Sequence, residues 1–190
     1  PGLHTSVGLS AGSFGLRTLD LGVHYRDENV QSSLKYGGLK NDGYRDNTKV
    51  MRSVVQWQGA ISNSEHNTLS MSILYSDLFY QLPGGLTKEE YDENPRQARA
   101  ISVNQKASVD HENILVGLNN YHRWGDQWSN STSIYFSNGT KENPFNTNYE
   151  LERLNGIGGR SKLVKSSDFL GNQLYQTVGI EAQYGKFHAN

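Results

Sequence analysis

Arg17-Thr18-Leu19-Asp20-Leu21-Gly22-Val23-His24-Tyr25-Arg26 decides the fold. Leu19, Leu21, Val23 and Tyr25 fall on one face of an extended chain. Thr18, Asp20, Gly22, His24 and Arg26 fall on the other. This is period two, the spacing of a strand with one apolar and one polar side. The pattern recurs along the chain. Val30, Leu34 and Tyr36 oppose Gln31, Ser33 and Lys35; Met51, Val55, Trp57 and Ile61 oppose Arg52, Gln56 and Gln58. Leu69, Met71, Ile73 and Tyr75 oppose Thr68, Ser70, Ser72 and Ser76. Further strands are expected through Ile114–Trp124, from Trp128 to Ser137 and over Leu174–Tyr184, with a weaker one over Arg160–Ser166. With Thr5–Ala11 they make eight or nine.

The connections alternate in length. Asp27–Asn29, Ser62–His66, Gly125–Gln127 and Asp168–Asn172 are tight and polar, whereas Lys40–Lys49, Gln81–Lys106 and Gly139–Leu154 are long. An up-and-down antiparallel sheet crossing a membrane has this parity, with short turns in one compartment and long loops in the other. A soluble sandwich shares the alternation but has no reason to keep the parity. Tyr25, Tyr36, Trp57, Tyr75, Trp124, Trp128 and Tyr184 are expected toward strand ends, as interfacial girdles are, although aromatics favour strands in any setting.

The composition excludes several chemistries. A mean hydropathy of -0.68 reads as polar, but a barrel strand is half polar by construction. No apolar run is long enough for a spanning helix. A formal net charge of -1 provides no field for nucleic acid, and the absence of Cys removes disulfide, thiolate-metal and thiol chemistry. The six His lack metal-ligand spacing, and no nucleophile elbow occurs among the Ser residues. Asn155-Gly156-Ile157-Gly158-Gly159 lacks the helix that a phosphate cradle needs and reads as a flexible loop end. Asn130-Ser131-Thr132 and Asn138-Gly139-Thr140 match the glycosylation sequon, a short pattern that in a bacterial envelope protein would be matched by chance. Neither catalytic set nor cofactor is implied.

Gln81–Lys106 is the longest irregular segment. After Pro83-Gly84-Gly85, Thr87 and Glu90 form a capping-box pattern for a short helix. Asn94-Pro95-Arg96-Gln97 then breaks it. Arg96 and Arg99 are candidates for an anion site, because the guanidinium fork pairs with carboxylates; solvated charges beside Glu89, Glu90, Asp92 and Glu93 are the plainer reading.

Four stretches resemble TonB-dependent outer-membrane receptors of the ferric-citrate/siderophore type: Gly12-Ser13-Phe14-Gly15, Asp42-Gly43-Tyr44-Arg45-Asp46-Asn47, Phe79–Thr87 with Tyr91 and Asn94–Arg99, and Asn143–Glu150. The resemblance runs from about Gly12 to Tyr184. It implies an all-β transmembrane barrel in the bacterial outer membrane that imports an iron chelate, siderophore or ferric citrate. Energy would come from the TonB complex through a plug domain, and the long loops would be extracellular. It also makes Arg45, Arg96, Gln97 and Arg99 ligand-binding candidates. Such barrels have about 22 strands, so residues 1–190 are expected to be the N-terminal part of the barrel domain, with plug and later strands absent. The expected partners are the chelate, the TonB complex and outer-membrane lipid, with edge-to-edge self-association of the piece. Two other classes remain open. One is a complete eight-stranded barrel with a structural or adhesive role; the other is a small-barrel enzyme, for which His24 has no convincing nucleophile beside it.

Overall fold

The computed structural model describes residues 1–144 and 149–189. Nine antiparallel strands follow one another in sequence order: β1 Gly2–Ala11, β2 Arg17–Arg26, β3 Val30–Asn41, β4 Val50–Ser64, β5 Asn67–Gln81, β6 Ser108–Trp124, β7 Trp128–Pro144, β8 Tyr149–Phe169 and β9 Asn172–Ala189. The order is linear, and β1 does not pair with β9 among the described residues. A small closed barrel is therefore not what this chain forms.

The parity of the connections is real. Asp27–Asn29, Glu65–His66, Gly125–Gln127 and Leu170–Gly171 close one end; residues 12–16, 42–49 and 82–107 lie at the other. Two expectations are corrected there. Gly139–Leu154 is not a long loop, because β7 runs to Pro144 and β8 starts at Tyr149. The resembling residues Phe145–Asn148 lie outside the described residues. Nor is Asn155–Gly159 a loop end: it is the interior of β8, paired to β7 throughout. The Tyr135 ring lies across the glycine at 158, so a side chain there would have to push the outer end of the ring aside. A Cβ there would stand 2.4 Å from Tyr135 Cζ.

Register explains how the apolar face is laid out. Leu9, Leu19, Gly38, Ser53, Asp77, Glu112, Thr140 and Arg153 are successive cross-strand partners. This row begins apolar and ends charged. Nearer the short turns, Asn67, His122, Asn130, Leu163 and Val178 form a row that begins polar and ends apolar. Between them Val23, Leu34, Trp57, Ile73, Val116, Phe136, Ile157 and Tyr184 are apolar from β2 to β9, and only Thr5 on β1 begins that row polar. The apolar stripe thus crosses the rows obliquely, drifting toward the short turns from β1 to β9. A level apolar belt on tilted, staggered strands has this layout.

The stripe also sorts the aromatics. Tyr75 is mid-strand, yet its row is the last before Asp77 and Glu112. Trp124 and Trp128 pair at the short-turn end. Trp57 departs from the expected girdle: it lies inside the stripe, where its Nε1–H donates to Ser32 Oγ at 3.1 Å. A polar patch interrupts the stripe at β6–β8 but satisfies itself. Asn130 Nδ2 donates to Ser161 Oγ at 3.0 Å, and Thr132 Oγ1 donates to Asn130 Oδ1 at 2.8 Å.

The opposite face is polar and holds a hollow of about 700 Å³ lined in part by His24, Gln58, Ser72, Asn119 and Tyr135. Asn119 Oδ1 accepts from Ser131 Oγ at 2.9 Å and Ser133 Oγ at 2.8 Å. Asp20, Arg26, Lys35 and Arg52 make no ion pair among the described residues. The sheet itself has no packed core. Among the described residues only Ser102, Ala107, Ser108 and Val109 are buried, all in or just after the segment 82–107.

Candidate functional site

That buried spot marks where three long-end connections meet. Phe14 and Gly15 turn residues 12–16 through left-handed backbone, with φ of 59° and 69°. The Phe14 carbonyl accepts from Asp42 N at 2.9 Å, and the Phe14 ring meets Tyr44 edge-on at 5.5 Å between centroids. Residues 42–49 are in turn bonded to the segment 82–107. Asp46 N donates to Arg96 O at 2.7 Å, Gln81 N to Lys49 O at 2.9 Å, and Lys49 N to Gln81 Oε1 at 3.2 Å.

Within that segment α1 (Lys88–Glu93) starts as the Thr87/Glu90 pattern predicts. Glu90 N donates to Thr87 Oγ1 at 3.2 Å, and Thr87 N donates to Glu90 Oε2 at 2.8 Å. A backbone amide, helped by the Thr87 hydroxyl, holds the exposed Glu89 carboxyl below its ordinary range. A second helix, α2 (Ala100–Asn104), follows Arg99 as its N-cap. Its start carries no side-chain cap, so no sequence signal announced it.

The four sequence candidates come together here in two kinds of place. Arg45 is half-buried and committed to backbone: Nε donates to Gln97 O at 3.1 Å, and Nη2 to Gln97 O and Gly84 O, both at 3.0 Å. Gln97, also half-buried, donates from Nε2 to Glu90 O at 2.5 Å. Arg96 and Arg99 are exposed. The Arg96 guanidinium lies over the Tyr44 ring, 5.1 Å from its centroid. Neither guanidinium makes a hydrogen bond or ion pair among the described residues. A cleft of about 430 Å³ is lined by Tyr44, Arg45, Leu86, Thr87, Lys88, Tyr91 and Pro95, and not by Arg96 or Arg99. Away from this cluster, Lys141 pairs with Glu152 at 3.3 Å and Glu150 at 3.5 Å, beyond the stripe at the long-loop end. The Glu152 carboxylate, with Glu150 beside it, raises the Lys141 ammonium above its ordinary range.

Asn47 was missed as a site residue. Its Nδ2 donates to Leu82 O at 2.8 Å and Ala107 O at 3.1 Å, the two ends of the long segment, while its own φ is 54°. Asn tolerates that left-handed conformation better than most residues. An Asn beside Asp46 in a turn-rich stretch was the available signal.

Solved structures share this arrangement of strands. The ferric citrate transporter FecA, unliganded, superposes with a TM-score of 0.70 at 15% identity, over 99% of this chain and 30% of its own. The open form of the ferric-catecholate import receptor Fiu from E. coli K12 gives 0.80 at 13% identity, over 96% of this chain and 34% of that one. The sheet has the fold of part of the β-barrel of these proteins. The siderophore receptor PiuA from Acinetobacter baumannii matches at 0.78 with 12% identity, again over 98% of this chain and 30% of the receptor. The chain therefore spans about a third of the length of the receptors it matches. No protein-family model matches the sequence, and no curated protein does.

Proposed function

We propose that this chain is barrel sheet from a TonB-dependent receptor in a bacterial outer membrane, and that the intact protein binds and imports an iron chelate. The observation that carries this reading is the oblique apolar stripe, bounded at one end by tight turns and at the other by joined loops that expose Arg96 and Arg99. A level lipid belt around tilted strands requires such a stripe. In this reading residues 12–16, 42–49 and 82–107 face outside the cell. Arg96 and Arg99 are the chelate-facing cations, since an arginine fork matches the carboxylate or catecholate oxygens of an iron chelate. The hollow polar face, where Asp20, Lys35 and Arg52 make no ion pair among the described residues, fits a lumen that is wet or filled by another part of the protein.

The test uses the full-length protein in its own outer membrane. Arg96→Gln with Arg99→Gln removes two charge-assisted contacts, each worth about 1.5–3 kcal/mol. Binding and uptake of ferric citrate or a ferric catecholate, whichever the wild type takes, should weaken at least about tenfold, with barrel assembly unchanged. Unaltered uptake removes these residues from the site. A protein absent from the outer-membrane fraction removes the receptor reading altogether.

A further inference from the structure

The donors of Arg45 and Asn47 are aimed at four backbone carbonyls, all in the segment 82–107: Leu82, Gly84, Gln97 and Ala107. Those carbonyls stand near its beginning, middle and end. Helices of five and six residues cannot hold such a segment by themselves. The segment closes on itself through Leu82 N to Ala107 O and Arg99 N to Pro83 O, both at 2.8 Å, and a strut from a neighbouring loop adds to these bonds. We propose that Arg45 is a positioning residue, a clamp that holds the segment 82–107 as a rigid ledge and so keeps Arg96 and Arg99 in place. The part about Arg96 and Arg99 rests on the functional reading above; the clamp does not.

Three features support a clamp over an ordinary surface arginine. Arg45 reaches both sides of the segment at once, through Gly84 O and Gln97 O. The Asp46 amide, next along the chain, holds Arg96 O, so the backbone reinforces the same junction. Gly84 sits at φ 73° with no room for a side chain: a Cβ would stand 2.6 Å from Ser102 Oγ and 2.9 Å from Arg99 Cβ. The carbonyl that Arg45 grips is therefore fixed by close packing on its other side. Two donors diverging from one plane are a property of the guanidinium; an ammonium supplies the charge without the fork.

Limited trypsin digestion of the detergent-solubilised full-length protein tests this, because Arg96 and Arg99 are themselves cleavage sites. Wild type should resist cleavage after both. Arg45→Ala should be cut there at least about tenfold faster, as loss of a charge-assisted contact raises the open population. Arg45→Lys should recover little of the protection, and Asn47→Ala should act in the same direction. Mobility of the unheated barrel on a gel controls for folding. Wild-type protection in Arg45→Ala, full recovery in Arg45→Lys, or rapid cleavage of the wild type would each overturn the clamp. A second arm uses ferric citrate as probe. If Arg45 acts through the exposed pair, adding Arg45→Ala to the Arg96→Gln/Arg99→Gln protein should weaken binding no further. A further loss in the combined variant overturns the positioning role. If binding never depended on Arg96 and Arg99, these residues leave the site, and the digestion alone decides the clamp.

Discussion

Gly84 condenses what single residues do in this chain. Its φ of 73° is routine for glycine and costly for any side chain, and Arg99 and Ser102 close the space a methyl would need. Gly84→Ala should therefore lose about 1–3 kcal/mol of local stability. Faster amide exchange at Arg99, whose N–H donates to Pro83 O at 2.8 Å, would report it; unchanged exchange there would refute the packing argument. The Pro83-Gly84-Gly85 turn was legible because these residue types punctuate a chain by known mechanisms. Gly158 was misread for the converse reason. Its glycine serves a partner 23 positions away, the Tyr135 ring on the neighbouring strand, and local composition carries no trace of that. Arg45 shows the same limit. Its charge marked it as a candidate, but only the fold reveals that its donors are spent on carbonyls 39 and 52 residues distant.

At the scale of elements, β2 could be read to the residue because one face is unbroken apolar and the other unbroken polar. The strands grow from ten residues in β1 and β2 to 21 in β8, well beyond a tilted crossing of about 9–11 residues. Those extensions carry Lys141, Glu150 and Glu152 rather than alternating hydrophobics, so Gly139–Leu154 read as loop. α1 was legible through its capping box, and the box dominates its stability, since a six-residue helix has little else. Thr87→Ala should cost about 1 kcal/mol. The measurable consequence is faster exchange of the Tyr91 and Asn94 amides, which bond to Thr87 O and Glu90 O at 3.0 Å each. Protection that survives the substitution would mean that the Arg45 and Gln97 contacts, not the cap, hold the helix.

For the whole molecule the decisive quantity is which solvent each face meets. Val116 and Ser133 stand on adjacent strands, β6 and β7, three register positions apart and on opposite faces. Val116 pairs with Ile73 and Phe136 in the row that is apolar from β2 to β9, whereas Ser133 donates to Asn119 Oδ1 in the polar hollow. If the stripe faces lipid, Val116→Arg buries a guanidinium in hydrocarbon and should destabilise the barrel by about 2–4 kcal/mol. Ser133→Arg puts the same group into the lumen and should cost well under half as much, limited to the lost Asn119 contact and steric adjustment. Urea unfolding of the full-length protein in lipid vesicles measures both. Equal penalties would mean that both faces see water, and the stripe would then have to be the covered side of a soluble sheet. A large penalty at Ser133 with a small one at Val116 would invert the assignment, placing the hollow against an apolar partner. The expected asymmetry ties the oblique stripe to a bilayer through one pair of neighbouring residues.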